Sequence, residues 1–501
     1  MRQSGVLMHI TSLPGPYGVG TMGKHAYAFV DFLRKAGQSK WQVLPLTPTG
    51  FGDSPYQSCS AFAGNPYLID LETLVEDGLL YTSELESVCW GDREDRVDFG
   101  LLYENRQKIL RLAYERFEAA EELDAFCRQC CDWLPDFALF MALKDANGGK
   151  PWFDWEDRFK NREPDALWQA RRELKEHIRF YCFVQYLFHK QWDALRAYAH
   201  GSGVEIIGDV PIYVPLDSAD VWSGTELFEL DDRLDPIAVA GCPPDAFSED
   251  GQLWGNPLYR WDVHKKDGYS WWLRRIRAAA ERYDVIRVDH FRGFESYWSV
   301  PYGAETARGG KWEKGPGMDF FRVLQRQMPQ VRMIAEDLGF ITPEVKALRD
   351  ETGFPGMKVL QFAFDSEDSE YLPHNCTAHS VCYTGTHDNM TTAQWLQAAP
   401  EHTRAYATRY MHLHEQEGLV WGVIRTAMAA VSELCIVQLQ DYLELGEEAR
   451  MNFPGTNTDS NWTWRAVPGV MTDELAQRIR ELTGLYGRLA KKNQHDDEFH
   501  S

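Results

Sequence analysis

Short apolar runs alternate with segments of helical periodicity along most of the chain. The runs predict eight strands, at residues 5–10, 41–46, 204–210, 285–291, 331–338, 357–364, 381–386 and 436–439. Apolar residues at helical spacing separate several of them, for example in residues 23–37, 271–283, 320–328 and 421–434. Strands that alternate with helices favour a parallel sheet, and eight repeats favour closure into a barrel. The pattern therefore predicts an α/β fold, a (β/α)8 barrel of the TIM type.

The spacing of the predicted strands is uneven and indicates two large insertions in the βα loops. The insertion between the second and third strands, approximately residues 66–175, is expected to be mainly helical, because Leu, Ala, Glu, Arg and Phe recur at helical spacing in residues 101–145. Residues of about 214–262 are rich in Pro, Gly, Asp and Trp, which predicts a long structured loop over one end of the barrel. We predict that residues 1–501 form a single barrel with these insertions and no separate C-terminal β domain.

Composition narrows the possible partners. Among 501 residues, 75 acidic against 52 basic side chains leave a formal net charge of −23, which repels phosphate backbones and anionic membrane surfaces. No run approaches about 18 uninterrupted apolar residues, and the first residues carry no long apolar stretch behind a basic segment. We expect no nucleic-acid or membrane partner and a cytoplasmic location. The ten cysteines lie mostly in apolar helical or strand patterns, so reduced thiols are expected.

Acidic residues recur where the predicted strands end. Asp209 ends the third strand, Asp289 lies in the fourth, Glu336 and Asp337 end the fifth, and Asp388 follows the seventh. Because the C-terminal ends of barrel strands meet at one face, we expect several of these carboxyl groups to converge. A single acid at such a position is more often only the start of a solvated loop. That interpretation becomes weaker when the pattern repeats.

Neighbouring charges predict different protonation states for two of these acids. Arg287 and Asp289 point to the same side of a strand, so the guanidinium is expected to keep Asp289 ionised and to lower its pKa. Glu336 has no basic neighbour in sequence and would share the barrel mouth with the other acids, Asp337 included, so like-charge repulsion is expected to raise its pKa. A carboxylate about 5 to 5.5 Å from a protonated carboxyl suits a retaining glycosidic reaction, in which the first attacks the anomeric carbon and the second protonates the departing oxygen.

Longer motifs resemble a known family. They are RVDHFRG (287–293), AEDLG (335–339), GTHDN (385–389), PPDAFSEDGQLWGNP (243–257), DSPYQ (53–57), ARMNFPGT (449–456) and NWTWR (461–465). Together they resemble the amylomaltases, the 4-α-glucanotransferases of glycoside hydrolase family 77, and the resemblance extends from about residue 5 to residue 465. It implies transfer of a segment of an α-1,4-glucan, such as a maltooligosaccharide or amylose, to the 4-hydroxyl of an acceptor glucan or glucose. It implies no metal and no cofactor.

The resemblance also implies residue roles. Asp289 matches the nucleophile that forms a covalent glycosyl-enzyme, Glu336 the general acid/base, and Asp388 the transition-state stabiliser. The implied substrate-binding residues are Ser54, Tyr56, Asp209, Gln252, Trp254, Asn256, Arg287, His290 and His387. Tyr56 is expected to stack on a sugar, and the segment that carries Trp254 is expected to arch over the cleft. A core-packing role for Trp254 is the alternative, and the glycines on both sides of it favour an exposed turn.

Other functions remain to be distinguished. An α-glucan hydrolase of the α-amylase clan would use the same carboxylates, but GDVPIYV has no Asn-His ending and RVDHF has no following Lys-His pair, which favours the transferase. A non-catalytic sugar-binding protein would not need three carboxylates together. A metal at Cys127, Cys130 and Cys131 is disfavoured, because no second Cys or His pair follows at zinc-site spacing.

Overall fold

A computed structural model describes residues 2–244 and 249–490 of the chain. The strands in these residues are β1 (Gln3–Leu7), β2 (Lys40–Gln42), β3 (Glu205–Val210), β4 (Ala238–Cys242), β5 (Gln252–Pro257), β6 (Val285–Val288), β7 (Ser296–Pro301), β8 (Lys311–Lys314), β9 (Met333–Ala335), β10 (Gly356–Val359), β11 (Ser380–Tyr383) and β12 (Leu434–Gln438). Eight of them form a closed parallel barrel in the order β1-β12-β11-β10-β9-β6-β3-β2. The predicted (β/α)8 barrel is confirmed, and each predicted apolar run overlaps one barrel strand.

The α-helices of the described residues are α1 (Lys24–Lys35), α2 (Leu71–Glu76), α3 (Thr82–Glu86), α4 (Phe99–Glu115), α5 (Ala120–Gln129), α6 (Leu134–Ala146), α7 (Asp157–Lys160), α8 (Pro164–Glu173), α9 (Lys175–Gly201), α10 (Ala219–Ser223), α11 (Trp261–Lys266), α12 (Ser270–Arg282), α13 (Met318–Gln327), α14 (Pro343–Thr352), α15 (Thr392–Ala398), α16 (Glu401–Met411), α17 (Leu419–Ala429), α18 (Leu439–Tyr442) and α19 (Asp473–Leu485). Helices α2 to α9 all lie between β2 and β3. In the part of the chain that is described, no helix has the length and apolar character needed to span a membrane.

The barrel strands are buried on both faces, which explains their apolar runs. Every residue of β6 and of β12 is buried, because one face of a barrel strand points to the interior and the other packs against the surrounding helices. Arg287 in β6 is therefore conspicuous, since a buried cation needs a buried partner. Its partners define the site described below.

A buried arginine, Arg488, bonds to backbone carbonyl oxygens at the N-terminal end of the barrel. Arg488 follows α19, a helix that packs against α1. Its guanidinium donates to the carbonyl oxygens of Gln3 (2.8 Å), Met428 (2.8 Å), Ala430 (2.7 Å) and Ser432 (2.9 Å). The contacts tie the chain after the barrel to the start of β1 and to the turn before β12.

The remaining strands form a separate antiparallel sheet in the order β5-β4-β7-β8. Residues 214–262, for which composition predicts a loop, contain α10, β4 and β5. The loop interpretation was incomplete because β4 pairs with β7, which comes from a different insertion after β6, and such a tertiary partner leaves no local signal. Residues 245–248 of the PPDAFSEDG segment lie outside the described residues.

Candidate active site

The C-terminal ends of three adjacent barrel strands place the central groups. In the β3–β6 register Asp209 is paired with Arg287, and β6 lies between β3 and β9 in the barrel. Asp289 follows directly after β6, and Glu336 follows directly after β9. The backbone fixes the last two relative to each other, because Glu336 N donates to the Val288 carbonyl (3.1 Å) and Phe291 N donates to the Glu336 carbonyl (3.1 Å).

Arg287 joins two of the carboxylates. Its Nη1 lies 2.6 Å from Oδ2 of Asp209 and 3.1 Å from Oδ1 of Asp289. Burial raises the pKa of Asp209 to about 7, and Arg287 opposes that rise. Burial also raises the pKa of Asp289, again against the attraction of Arg287. The predicted lowering of the Asp289 pKa is therefore wrong, because the loss of hydration outweighs the neighbouring guanidinium.

Glu336, like Asp209, has a strongly raised pKa. Its carboxylate accepts hydrogen bonds from the backbone N–H groups of His290 (2.7 Å) and Leu338 (3.0 Å). Burial raises its pKa to about 8, the charge of Asp289 adds to the rise, and Arg287 opposes it. The predicted direction is confirmed, although burial contributes more than the like charge. The raised pKa favours the protonated carboxyl of Glu336 at neutral pH.

Asp337 does not share this site. Its carboxylate accepts hydrogen bonds from Arg349 Nη1 (2.6 Å) and from Met357 N (2.7 Å), and the residue is buried. The expectation that Asp337 contributes to the acidic barrel mouth is therefore wrong. Successive residues at the end of a strand point in opposite directions, so Glu336 and Asp337 have different surroundings.

Asp388 is held by two neighbours. Asn452 Nδ2 donates to Asp388 Oδ1 (2.6 Å), and His387 Nε2 lies 3.4 Å from Asp388 Oδ2. Burial lowers the pKa of His387 to about 4, against the attraction of Asp388, so the imidazole is neutral at pH 7. The Asp388 side chain is 43% exposed, which leaves it open to a ligand in the cleft.

Tyr56 contacts both Asp209, which binds Arg287, and His387, which precedes Asp388. Its hydroxyl donates to Asp209 Oδ2 (3.0 Å), and its ring stacks on His387 with centroids 5.2 Å apart and an interplanar angle of 16°. Ser54 holds the Tyr56 backbone, since Ser54 Oγ accepts a hydrogen bond from Tyr56 N (3.2 Å). Trp462 contacts both rings, at 5.8 Å from Tyr56 and 5.9 Å from His387. These contacts form a continuous line from Asp388 to Arg287.

The small sheet reaches the site through β5. The ring of Trp254 meets His290 edge to face, with centroids 4.8 Å apart, and its Nε1 donates to Gln252 Oε1 (3.1 Å). Asn256 Oδ1 accepts a hydrogen bond from Nε2 of Gln57 (3.4 Å), the residue that follows Tyr56 in sequence. His290 has a left-handed φ of 48°, and burial lowers its pKa to about 3. Trp254 is half-buried and contacts His290, the residue that follows Asp289. It is therefore not enclosed in the core.

Sequence reasoning assigned no role to three residues that complete the site. Asn452 binds Asp388, Arg450 Nη2 donates to the Asp388 carbonyl (3.0 Å), and Trp462 packs on Tyr56. Their signal was present in the motifs ARMNFPGT and NWTWR, but these lie more than 60 residues beyond Asp388 in sequence. Among residues 2–244 and 249–490, no group of three or more His, Cys, Asp or Glu is arranged to hold a metal ion.

The chain matches proteins of known activity over nearly its full length. Residues 8–470 match the family model described as 4-alpha-glucanotransferase. The 4-alpha-glucanotransferase of Thermus thermophilus is 49% identical, covering 97% of this chain and 99% of its own, and that of Clostridium butyricum is 48% identical, covering 96% and 100%. The solved structure of the amylomaltase from Streptococcus agalactiae in complex with acarbose is 43% identical, with a TM-score of 0.95, covering 97% of this chain and 100% of its own.

Proposed function

The chain belongs to the 4-alpha-glucanotransferase family, and on that premise we propose that it cleaves an α-1,4-glucan and transfers the non-reducing segment to the 4-hydroxyl of another glucan or of glucose. The observation that supports this most is the backbone connection between Asp289 and Glu336, which keeps an Arg287-bound carboxylate beside a carboxyl whose pKa is raised to about 8. This pair suits double displacement.

In the first step, an Asp289 oxygen attacks the anomeric carbon of the donor. The glycosidic C–O bond breaks as the Glu336 proton moves to the departing oxygen, which leaves as the new 4-hydroxyl of the released fragment. Glu336 then carries the negative charge, and the glucan segment is bound to Asp289 as an ester. Arg287 Nη1 lies 3.1 Å from Asp289 Oδ1. It stabilises the Asp289 carboxylate before the attack and again when this carboxylate is released from the ester.

In the second step, the Glu336 carboxylate removes the proton from the acceptor 4-hydroxyl. The acceptor oxygen attacks the anomeric carbon and the bond to Asp289 breaks, so one glycosidic bond replaces another and Glu336 regains its proton. Asp388, fixed by Asn452, stabilises the oxocarbenium-like charge in both steps. Water is the competing acceptor.

Neighbouring residues position the sugars. Tyr56, Asp209 and His387 bind the donor sugar, with Arg287 and Ser54 supporting them, because their contacts connect Asp289 with Asp388. Gln252 and Trp254 lie next to His290, which follows Asp289, and Asn256 contacts Gln57; Gln252, Trp254, Asn256 and His290 line the adjoining part of the cleft, where Trp254 limits the access of water to the ester. The reaction proposed here uses no metal and no cofactor.

Incubation with maltotriose alone tests this function. We expect glucose together with a ladder of glucans longer than maltotriose. Only shorter sugars would indicate an α-glucan hydrolase, and binding without turnover would indicate a sugar-binding protein. Glu336→Gln is expected to lower the rate by about 10² to 10⁴, whereas Glu104→Gln, at an exposed carboxyl on α4, is expected to change nothing. Full activity of Glu336→Gln would refute the assignment.

A further inference from the structure

Two exposed aromatic rings lie beside the loop that carries Glu336. Phe340, four residues after Glu336, is 67% exposed, and Trp312 on β8 is 38% exposed. Their rings are nearly parallel, with centroids 6.3 Å apart and an interplanar angle of 19°. Exposed apolar side chains that occur singly need no explanation, but two adjacent exposed rings, one of them on the segment that follows Glu336, form a candidate surface for a ligand.

The rings are held in place by a buried cation. The guanidinium of Arg292 lies 3.8 Å from the Trp312 ring centroid and 5.8 Å from that of Phe340. Arg292 is itself 4% exposed, and it donates to the Phe340 carbonyl and to Ser296 Oγ. One side chain thus fixes both the Phe340 backbone and the Trp312 ring.

Trp312 is also held by a contact within the small antiparallel sheet. It is paired with Trp298 across β7 and β8, and the two rings meet at 68° with centroids 5.0 Å apart. Trp298 Nε1 donates to the Ala307 carbonyl (2.8 Å). Rings that are ordered before binding lose little conformational entropy when a ligand stacks on them, which makes them effective binding groups.

The position of the rings indicates which part of the substrate they meet. In the barrel order, β6 lies between β3 and β9, so Asp209 is on one side of Asp289 and Glu336 is on the other. The donor sugar lies against Asp209 and Tyr56, and the departing or incoming oxygen lies at Glu336. In the proposed mechanism the glucan attached to that oxygen therefore lies on the Glu336 side of Asp289, and Phe340 follows Glu336 by four residues.

We propose that Trp312 and Phe340, positioned by Arg292, form an additional binding subsite for the acceptor glucan, beyond the sugar that receives the transferred segment. The inference rests on the proposed function. The rings stack against the C–H faces of glucosyl units, as flat aromatic faces with polar surroundings do. A single glucose does not reach this subsite, so it serves longer acceptors selectively.

Radiolabelled acceptors test the subsite. With amylose as the donor, the transfer to labelled glucose and to labelled maltohexaose is measured for the wild type, Phe340→Ala and Trp312→Ala. Loss of one stacking contact is expected to raise the KM for maltohexaose about 3- to 10-fold, with a much smaller change for glucose. Trp312→Phe is expected to recover most of the loss because it retains an aromatic face.

A matched control is available in the helical insertion. Trp168 on α8 is 61% exposed, and the guanidinium of Arg172 lies 4.6 Å from its ring centroid, so like Trp312 it combines an exposed ring with a cation. Trp168→Ala is expected to leave both KM values unchanged. An unchanged maltohexaose KM in Phe340→Ala and Trp312→Ala, or an equal rise for glucose, would overturn the subsite. A wild-type protein that labels neither acceptor would instead overturn the proposed transferase.

Discussion

Replacing Glu336 by Gln is expected to remove a pH dependence of the protein's stability together with its activity. In the folded protein burial holds the Glu336 pKa at about 8, whereas the ordinary value is 4.5. Between these two pH values the folded state keeps the proton and the unfolded state does not, so the free energy of unfolding falls as the pH rises. Gln has no proton to lose, so its stability does not carry this dependence, but its NH2 group replaces one of the two oxygens that accept backbone N–H groups, which adds a cost that does not vary with pH.

The size of the effect follows from the same two values. A tenfold change in proton affinity is worth about 1.4 kcal/mol, which sets an upper limit of about 5 kcal/mol for the stability lost by pH 8. The Glu336 residue keeps some contact with solvent and its titration is linked to that of Asp289, so we expect about 2 kcal/mol. In a protein of 501 residues this corresponds to a change of about 2 °C, between pH 4.5 and pH 8, in the Tm of Glu336→Gln relative to that of the wild type.

Calorimetry at two pH values measures this difference. Between pH 4.5 and pH 8 the Tm of Glu336→Gln is expected to rise by about 2 °C relative to that of the wild type. The exposed-site variant Glu104→Gln controls for the removal of one negative charge from the surface. A Tm difference that stays constant between the two pH values, or that changes in the opposite direction, would refute the reasoning.

Three further variants test other parts of the structure. Arg287→Met leaves Asp209 and Asp289 without their shared cation, and we expect the free energy of unfolding, measured with urea, to fall by about 3 kcal/mol; an unchanged midpoint would contradict this. Asn452→Ala removes a hydrogen bond to the Asp388 carboxylate, so kcat for maltotriose is expected to fall about 10- to 100-fold with KM nearly constant; a loss confined to KM would contradict the positioning role. Arg488→Met removes four hydrogen bonds at the far end of the barrel and is expected to lower the urea midpoint while kcat per folded molecule is retained; a lowered kcat in the folded protein would show that the two barrel ends are coupled.

The sequence predicts the barrel well because barrel strands are buried on both faces. Residues such as those of β6 and β12 form apolar runs that differ clearly from the helices between them. The small sheet is a different case. Its strands pair across two insertions, β4 with β7, and no local pattern in residues 214–262 identifies a partner that lies beyond β6. Composition therefore indicated a loop where the structure has strands.

The adjacent positions of the strand-end acids were predictable from the sequence, but the environments of these acids were not. The strand-end rule placed Asp209, Asp289 and Glu336 at adjacent positions, which the barrel order reproduces. It could not separate Glu336 from Asp337, whose partner Arg349 lies on α14. The pKa of Asp289 also depends on burial, which only the folded chain determines.

The covalent role of Asp289 is tested most directly by trapping. α-Maltosyl fluoride needs no protonation of its leaving group, so Glu336→Gln can form the ester but resolves it slowly. Mass spectrometry of the digested variant is expected to show one maltosyl unit on the peptide that contains Asp289, and no adduct in Asp289→Asn. An adduct on another carboxyl, or release of a product with inverted anomeric configuration, would contradict the account.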